Sequence, residues 1–241
     1  MDHGALVLLV AALAVFVGSI VQGGVGFGLG LVAAPVVTIM APEVVPGALH
    51  VVNLTLALFT VALEWRKVDW RGVGWGVVGR LPGSALGAIV VGYLSASTLG
   101  LSVGAMVLIA VLLTWRAAEV PRNAGTVAAA GLVSGVAGTA TGIGGPPMAL
   151  VFQSARGPQI RATLAMFFAL GAAQSLFFLW WAGELTPHSL RFGALLVPCM
   201  VAGFLASGPL RRFLDRGRVR ASVLVLAAVS ALALIAQSLF G

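Results

Sequence analysis

The chain has 241 residues, 60% of them hydrophobic and only 9% charged, with a mean hydropathy of +1.07. A soluble domain carries about 25% charged residues, so the composition excludes a globular domain on a single anchor and describes a polytopic membrane protein. The net charge of +7, from 14 basic and 7 acidic residues, sits in short loops between apolar segments, which assigns it to membrane topology rather than to nucleic acid.

Ten apolar segments follow one another, at 5–21, 26–40, 45–64, 72–94, 98–115, 123–140, 146–155, 161–182, 189–207 and 219–239. The start, Met1-Asp2-His3, has no positive n-region, so the first segment is expected to stay in the mature protein. It runs into Gly23-Gly24-Val25-Gly26-Phe27-Gly28-Leu29-Gly30. Backbone this irregular survives at membrane depth only when buried in protein or lining a cavity. A second break, Gly142-Ile143-Gly144-Gly145-Pro146-Pro147, lies about half a chain later. The segment after each break falls short of the roughly 20 residues of a full span. It forms either one arm of a re-entrant hairpin or a short tilted span. The count therefore lies between six full spans with two hairpins and ten spans.

Following the segments from side to side, one face collects Arg66, Lys67, Arg71, Arg116, Arg122, Arg156, Arg161, Arg211, Arg212, Arg216, Arg218 and Arg220. The other collects Arg191 alone. The positive-inside rule places the arginine-rich face in the cytoplasm and both termini outside.

The halves 1–118 and 119–241 correspond. Gly24-Val25-Gly26 answers Gly142-Ile143-Gly144, and Pro82 and Gly87 answer Pro198 and Gly203. With five segments in each half, the second starts on the opposite face. The expected fold is all-α, built from two inverted-topology repeats whose glycine-rich breaks meet near the midplane.

Each break then presents the N-terminus of a short helix. Pro146 and Pro147 suit its first turn, where a missing N–H costs nothing. Glycines at 26, 28, 144 and 145 let backbone N–H groups approach a ligand, and the helix dipole favours an anion. The bland alternative is that these glycines only permit close helix packing. Alternate glycines at 24, 26, 28 and 30 are not a nucleotide fingerprint, because no βαβ unit surrounds them, and no P-loop lysine is present.

Polar residues inside apolar segments are functional candidates. Arg80 lies about 12 Å along its helix from the arginine-rich end; it either attracts an anion or snorkels to headgroups. His50 and Asn53 share a face of the third segment, with Thr55 nearby. Gln22 precedes the first break, and Thr139 and Thr141 the second; Gln153 and Gln174 are weaker candidates. Interhelical hydrogen bonding is the competing explanation for these. No carboxylate lies deep in a span: Glu64, Asp69 and Glu184 are near ends or in loops. The single Cys199 excludes an intramolecular disulfide. His3, His50 and His188 lack the companions of a metal or protease site, so no metal, cofactor or enzymatic activity is expected.

These motifs resemble the sulfite exporter TauE/SafE family, also called the 4-toluene sulfonate uptake permease family. The residues that carry the resemblance are Gly23-Gly24-Val25-Gly26-Phe27-Gly28 with Pro35, Gly135 to Pro147, Val68-Asp69-Trp70 and Gly183-Glu184-Leu185. It covers nearly the whole chain. Pro146-Pro147 departs from the family pattern, where a further glycine or one proline is usual. The resemblance implies a transporter of sulfur-containing anions, such as sulfite, sulfonates or sulfoacetate, in the bacterial inner membrane. It assigns a substrate role only to the glycine motifs: Gly23, Gly24, Gly26, Phe27 and Gly28, and Gly142, Gly144, Gly145 and Pro146. Gln22, His50, Asn53, Arg80, Thr139 and Thr141 join them from the reading of the residues alone. The expected partners are a small anionic substrate and the lipid bilayer, with no nucleic acid; a homo-oligomer is compatible with the sequence. A secondary exporter alternating access around the two breaks leads. An anion channel and a non-transporting scaffold subunit are the alternatives.

Overall fold

The computed structural model describes residues 3–116, 120–214 and 218–240. Ten α-helices follow in chain order: α1 His3–Val25, α2 Leu29–Met40, α3 Gly47–Glu64, α4 Trp70–Val91, α5 Ala96–Arg116, α6 Ala124–Thr141, α7 Gly145–Phe152, α8 Gly157–Trp181, α9 Pro187–Leu214 and α10 Arg218–Phe240. No strand occurs among the described residues. Among the described residues, six helices are long and apolar enough to cross a membrane: α1, α3, α4, α6, α8 and α9. The two helices that follow the glycine breaks are short, with 12 residues in α2 and 8 in α7.

Helix ends follow their local chemistry. Asp69 caps α4 by accepting from the Gly72 N–H, and Asn123 with Thr126 forms a capping box on α6. Pro146 and Pro147 occupy the first turn of α7, as expected. The exterior carries large apolar side chains more than a third exposed, among them Leu13, Leu63, Val78, Leu195 and Leu205. Such a surface suits lipid rather than water.

α4 packs on α6 and α1 on α9; α3 packs on α8 and α5 on α10. One end of the bundle gathers Asp69, Arg71 and Arg122 around one hollow, and Arg66, Lys67 and Arg156 around another. The exposed Trp65 and Trp70 lie at this end, and Tyr93, Trp180 and Trp181 at the other. Aromatic girdles of this kind mark the two interfaces of a bilayer. Arg211, Arg212, Arg218 and Arg220 lie on α9 and α10, but their side chains, like Arg216, lie outside the described residues.

Candidate functional site

The two breaks touch each other. A Cβ on Gly30 would lie 2.5 Å from the Gly142 carbonyl oxygen, and one on Gly145 would lie 3.2 Å from the Phe27 Cβ. The first tip turns on Gly26 and Gly28, with φ of 101° and 135°, and the second on Gly142, with φ of 76°. L-residues rarely adopt these conformations, so glycine is required by the turn itself.

Much of each tip's polar backbone is satisfied internally. Gln22 bends forward so that its Oε1 accepts from the Leu29 N–H at 3.1 Å, while its Nε2 donates to Asn53 Oδ1 at 2.8 Å. At the second tip, Thr141 Oγ1 donates to the Ala137 carbonyl at 2.7 Å and accepts from the Ile143 N–H at 3.2 Å. Gln22 and Thr141 thus build the tips. Gly23 packs on Phe204 and Ser207 of α9, and Gly24 is buried in the last turn of α1. Gly23 therefore faces α9. Pro146 and Phe27 line a pocket of about 120 Å³ between the tips, with Val25, Gln153 and Ile160.

The remaining candidates converge on one buried cluster. Arg80 is only 3% exposed and points into the protein, so it does not snorkel. Its Nη1 donates to Ser134 Oγ at 2.9 Å and its Nη2 to Ser175 Oγ at 3.2 Å. Ser134 in turn donates to the Gly144 carbonyl. Ser175 shares a hydrogen bond of 2.7 Å with Thr139, and the Thr139 carbonyl meets His50 Nε2 at 3.3 Å. The Phe167 ring lies 5.2 Å from the guanidinium carbon. Three positions without a Cβ admit the cation: methyls on Gly138 and Gly144 would fall 3.0 and 2.9 Å from its terminal nitrogens, and one on Gly171 would overlap the guanidinium.

Arg80 has no carboxylate partner among the described residues, where the ion pairs are Arg122–Asp69 and Arg161–Glu64. Its Nε is buried with no hydrogen-bond partner, and so is Ser84 Oγ, one helical turn further along α4. A buried charge normally requires pairing. This one is met by two neutral hydroxyls and a ring face, with no carboxylate beside it among the described residues.

A family model described as the sulfite exporter TauE/SafE matches residues 10–234. The chain belongs to the sulfite exporter TauE/SafE family. It is a membrane transport protein of a family described as sulfite exporters. No characterised protein and no solved structure matches it.

In this TauE/SafE chain, α3 links the two tips: Asn53 holds Gln22 of the first, and His50 meets Thr139 next to the second. Sequence reasoning missed Ser134 and Ser175, because small hydroxyl residues in apolar helices are common. The signal was Arg80: a charge without an intramembrane acid has to find neutral acceptors. Gln153 is exposed beside the pocket, and Gln174 is half-buried on α8. Thr55 bonds to its own helix through the Val51 carbonyl. Among the described residues, no group of three His, Cys, Asp or Glu side chains could hold a metal ion. Glu64 ends α3, as expected, yet it is buried, at 7% exposure, against Arg161 of α8. The helix end at this point lies inside the bundle, because α8 starts alongside it.

Proposed function

We propose that this protein is a secondary exporter of sulfur-containing anions, sulfite, sulfonates or sulfoacetate among them, in the bacterial inner membrane, with both termini periplasmic. The observation that carries this reading is Arg80, a buried cation with an unused N–H and, among the described residues, no acid to neutralise it. In the proposed cycle a substrate oxyanion takes the fork that Ser134 and Ser175 now occupy. Arg suits this role because its planar donors match an oxyanion's spaced acceptors. Ser134 of α6, bonded to the Gly144 carbonyl of the second tip, covers the cation, so that tip has to move for an anion to arrive. This shifts the weight from backbone N–H groups towards the side chain, since Gln22 and Thr141 already satisfy part of the tip backbone.

Alternating access needs two related halves, 1–118 and 119–241. The packing supports this proposal: exchanging the halves turns the α1–α9 contact into α6–α4 and α3–α9 into α8–α4, and leaves α3–α8 and α5–α10 as they are. The gathering of arginines at one end supports a cytoplasmic position for that end. Outward movement of one negative charge gains about 2.3 kcal/mol per 100 mV of inside-negative potential, so export requires no coupled ion.

The test is thermal unfolding of the detergent-purified protein against sulfite, sulfate, thiosulfate, taurine, alkyl sulfonates, sulfoacetate and carboxylates. Selective stabilisation by a sulfur oxyanion or sulfonate is expected. Stabilisation by carboxylates alone contradicts the proposed substrate class.

A further inference from the structure

The Glu64–Arg161 pair is not used by the anion site. Arg161 Nη2 donates to Glu64 Oε1 at 3.1 Å, and the two side chains are 11% and 7% exposed. This is the buried ion pair among the described residues; Arg122–Asp69 is more exposed, at 33% and 17%. It joins the last residue of α3 to the second turn of α8 at the arginine-rich end. The first tip rests on the same residue: a Cβ on Gly26 would lie 3.1 Å from the Arg161 Cα and 3.2 Å from its Cγ. Gly26 is flanked by Val25 and Phe27, which line the pocket between the tips, and Ile160 of the same pocket adjoins Arg161. One arginine therefore ties two helices together and supports the wall of the cavity beneath both tips.

The second tip makes the matching contact at the other end of the molecule. There the second tip rests on the start of α3, where Leu49 packs on Gly142 and His50 meets the Thr139 carbonyl. The two ends make equivalent contacts, tip on helix start, and among the described residues the ion pair stands at the first tip. Such a pair gives discrete made and broken states, because a separated buried charge has to find water. Gln153, which lines the pocket, is exposed.

We propose that Glu64 and Arg161 form a latch that positions the first tip and controls access to the inter-tip pocket from the arginine-rich end. The latch holds that side narrow while it is made. Its breaking frees α8 and the tip to move apart. These are positioning residues: neither touches the anion. The inference rests on the chain being a transporter but not on Arg80 being its anion site.

The test uses the full chain in proteoliposomes with Cys199→Ser and a reporter, Leu150→Cys, on the pocket wall. A membrane-impermeant maleimide is applied to the arginine-rich side. Glu64→Gln and Arg161→Gln are expected to raise the labelling rate about tenfold, an ordinary size for coupling between two states. The charge-exchanged double variant, Glu64→Arg with Arg161→Glu, is expected to return the rate towards that of the parent. Folded single variants that label at the parent rate overturn the latch, whatever happens to flux. If the single variants fail to assemble, Arg161→Lys keeps the charge and loses the fork. Faster labelling of that variant supports the proposal, and an unchanged rate overturns it. An anion-induced shift that survives in Arg80→Met, with labelling still controlled by the pair, would defeat the Arg80 reading and leave the latch standing.

Discussion

Replacing Arg80 by Met separates an anion-binding role from a structural one. Burying one charge costs several kcal/mol after relaxation. Against this stand two hydrogen bonds to a charged group, about 1.5–3 kcal/mol each, and a ring contact of up to about 2 kcal/mol. The terms come close to cancelling. Met removes both sides of the balance, and neither serine is orphaned, because Ser134 keeps the Gly144 carbonyl and Ser175 keeps Thr139. Arg80→Met should therefore change folding stability by less than about 2 kcal/mol, whereas breaking a structural buried pair costs about 3–5 kcal/mol. Its effect on the ligand should be complete: stabilisation of about 2.7 kcal/mol at 100 times the dissociation constant should vanish. The assay is denaturant or thermal unfolding in detergent, with and without the stabilising anion. A variant that loses more than about 3 kcal/mol without ligand, or that keeps the anion-induced shift, refutes the reasoning.

Gly30→Val should abolish transport and cost about 1–3 kcal/mol by overpacking, since its Cβ meets the Gly142 carbonyl; flux and unfolding measured on the same preparation check this. Gln22→Leu leaves the Leu29 N–H and Asn53 without a partner, at about 1–3 kcal/mol for a buried group. A double-mutant cycle with Asn53→Leu should show positive coupling, and strict additivity would deny the Gln22–Asn53 bond. Asp69→Asn keeps the cap on α4 and loses only the partly exposed pair with Arg122, so its stability loss should stay below about 1 kcal/mol, well under that of Glu64→Gln. Efflux of a monoanion from proteoliposomes should respond to an imposed potential; flux that ignores the potential would contradict uncoupled export.

The transmembrane segments were legible because lipid permits little else: backbone at that depth must be helical, and each span needs an apolar run of fixed length. The same constraint exposed the breaks, since Gly26, Gly28 and Gly142 stand where no other residue makes the turn. Arg80 was also visible, as a lone charge in an apolar helix. Its destination was not, because snorkelling and burial use the same stem and differ only in what surrounds it. Ser134 lies 54 positions from Arg80 and Ser175 lies 95, on helices whose approach depends on glycine contacts such as Gly79 on Ala128 and Gly131 on Gly76.

The Glu64–Arg161 pair, 97 positions apart, escaped for the same reason. Read along the chain, both residues belong to the ends of apolar segments, where water is expected. Sequence by itself determined which stretches are helical, where the chain breaks and which end carries the arginines, because these follow from local composition and the solvent the chain must satisfy. Only the tertiary structure decided which polar groups meet, that Arg80 has no acid beside it among the described residues, and that Gln22 and Thr141 are spent on the tips. Those outcomes depend on helix–helix distances of a few ångströms, set jointly by residues far apart in the chain.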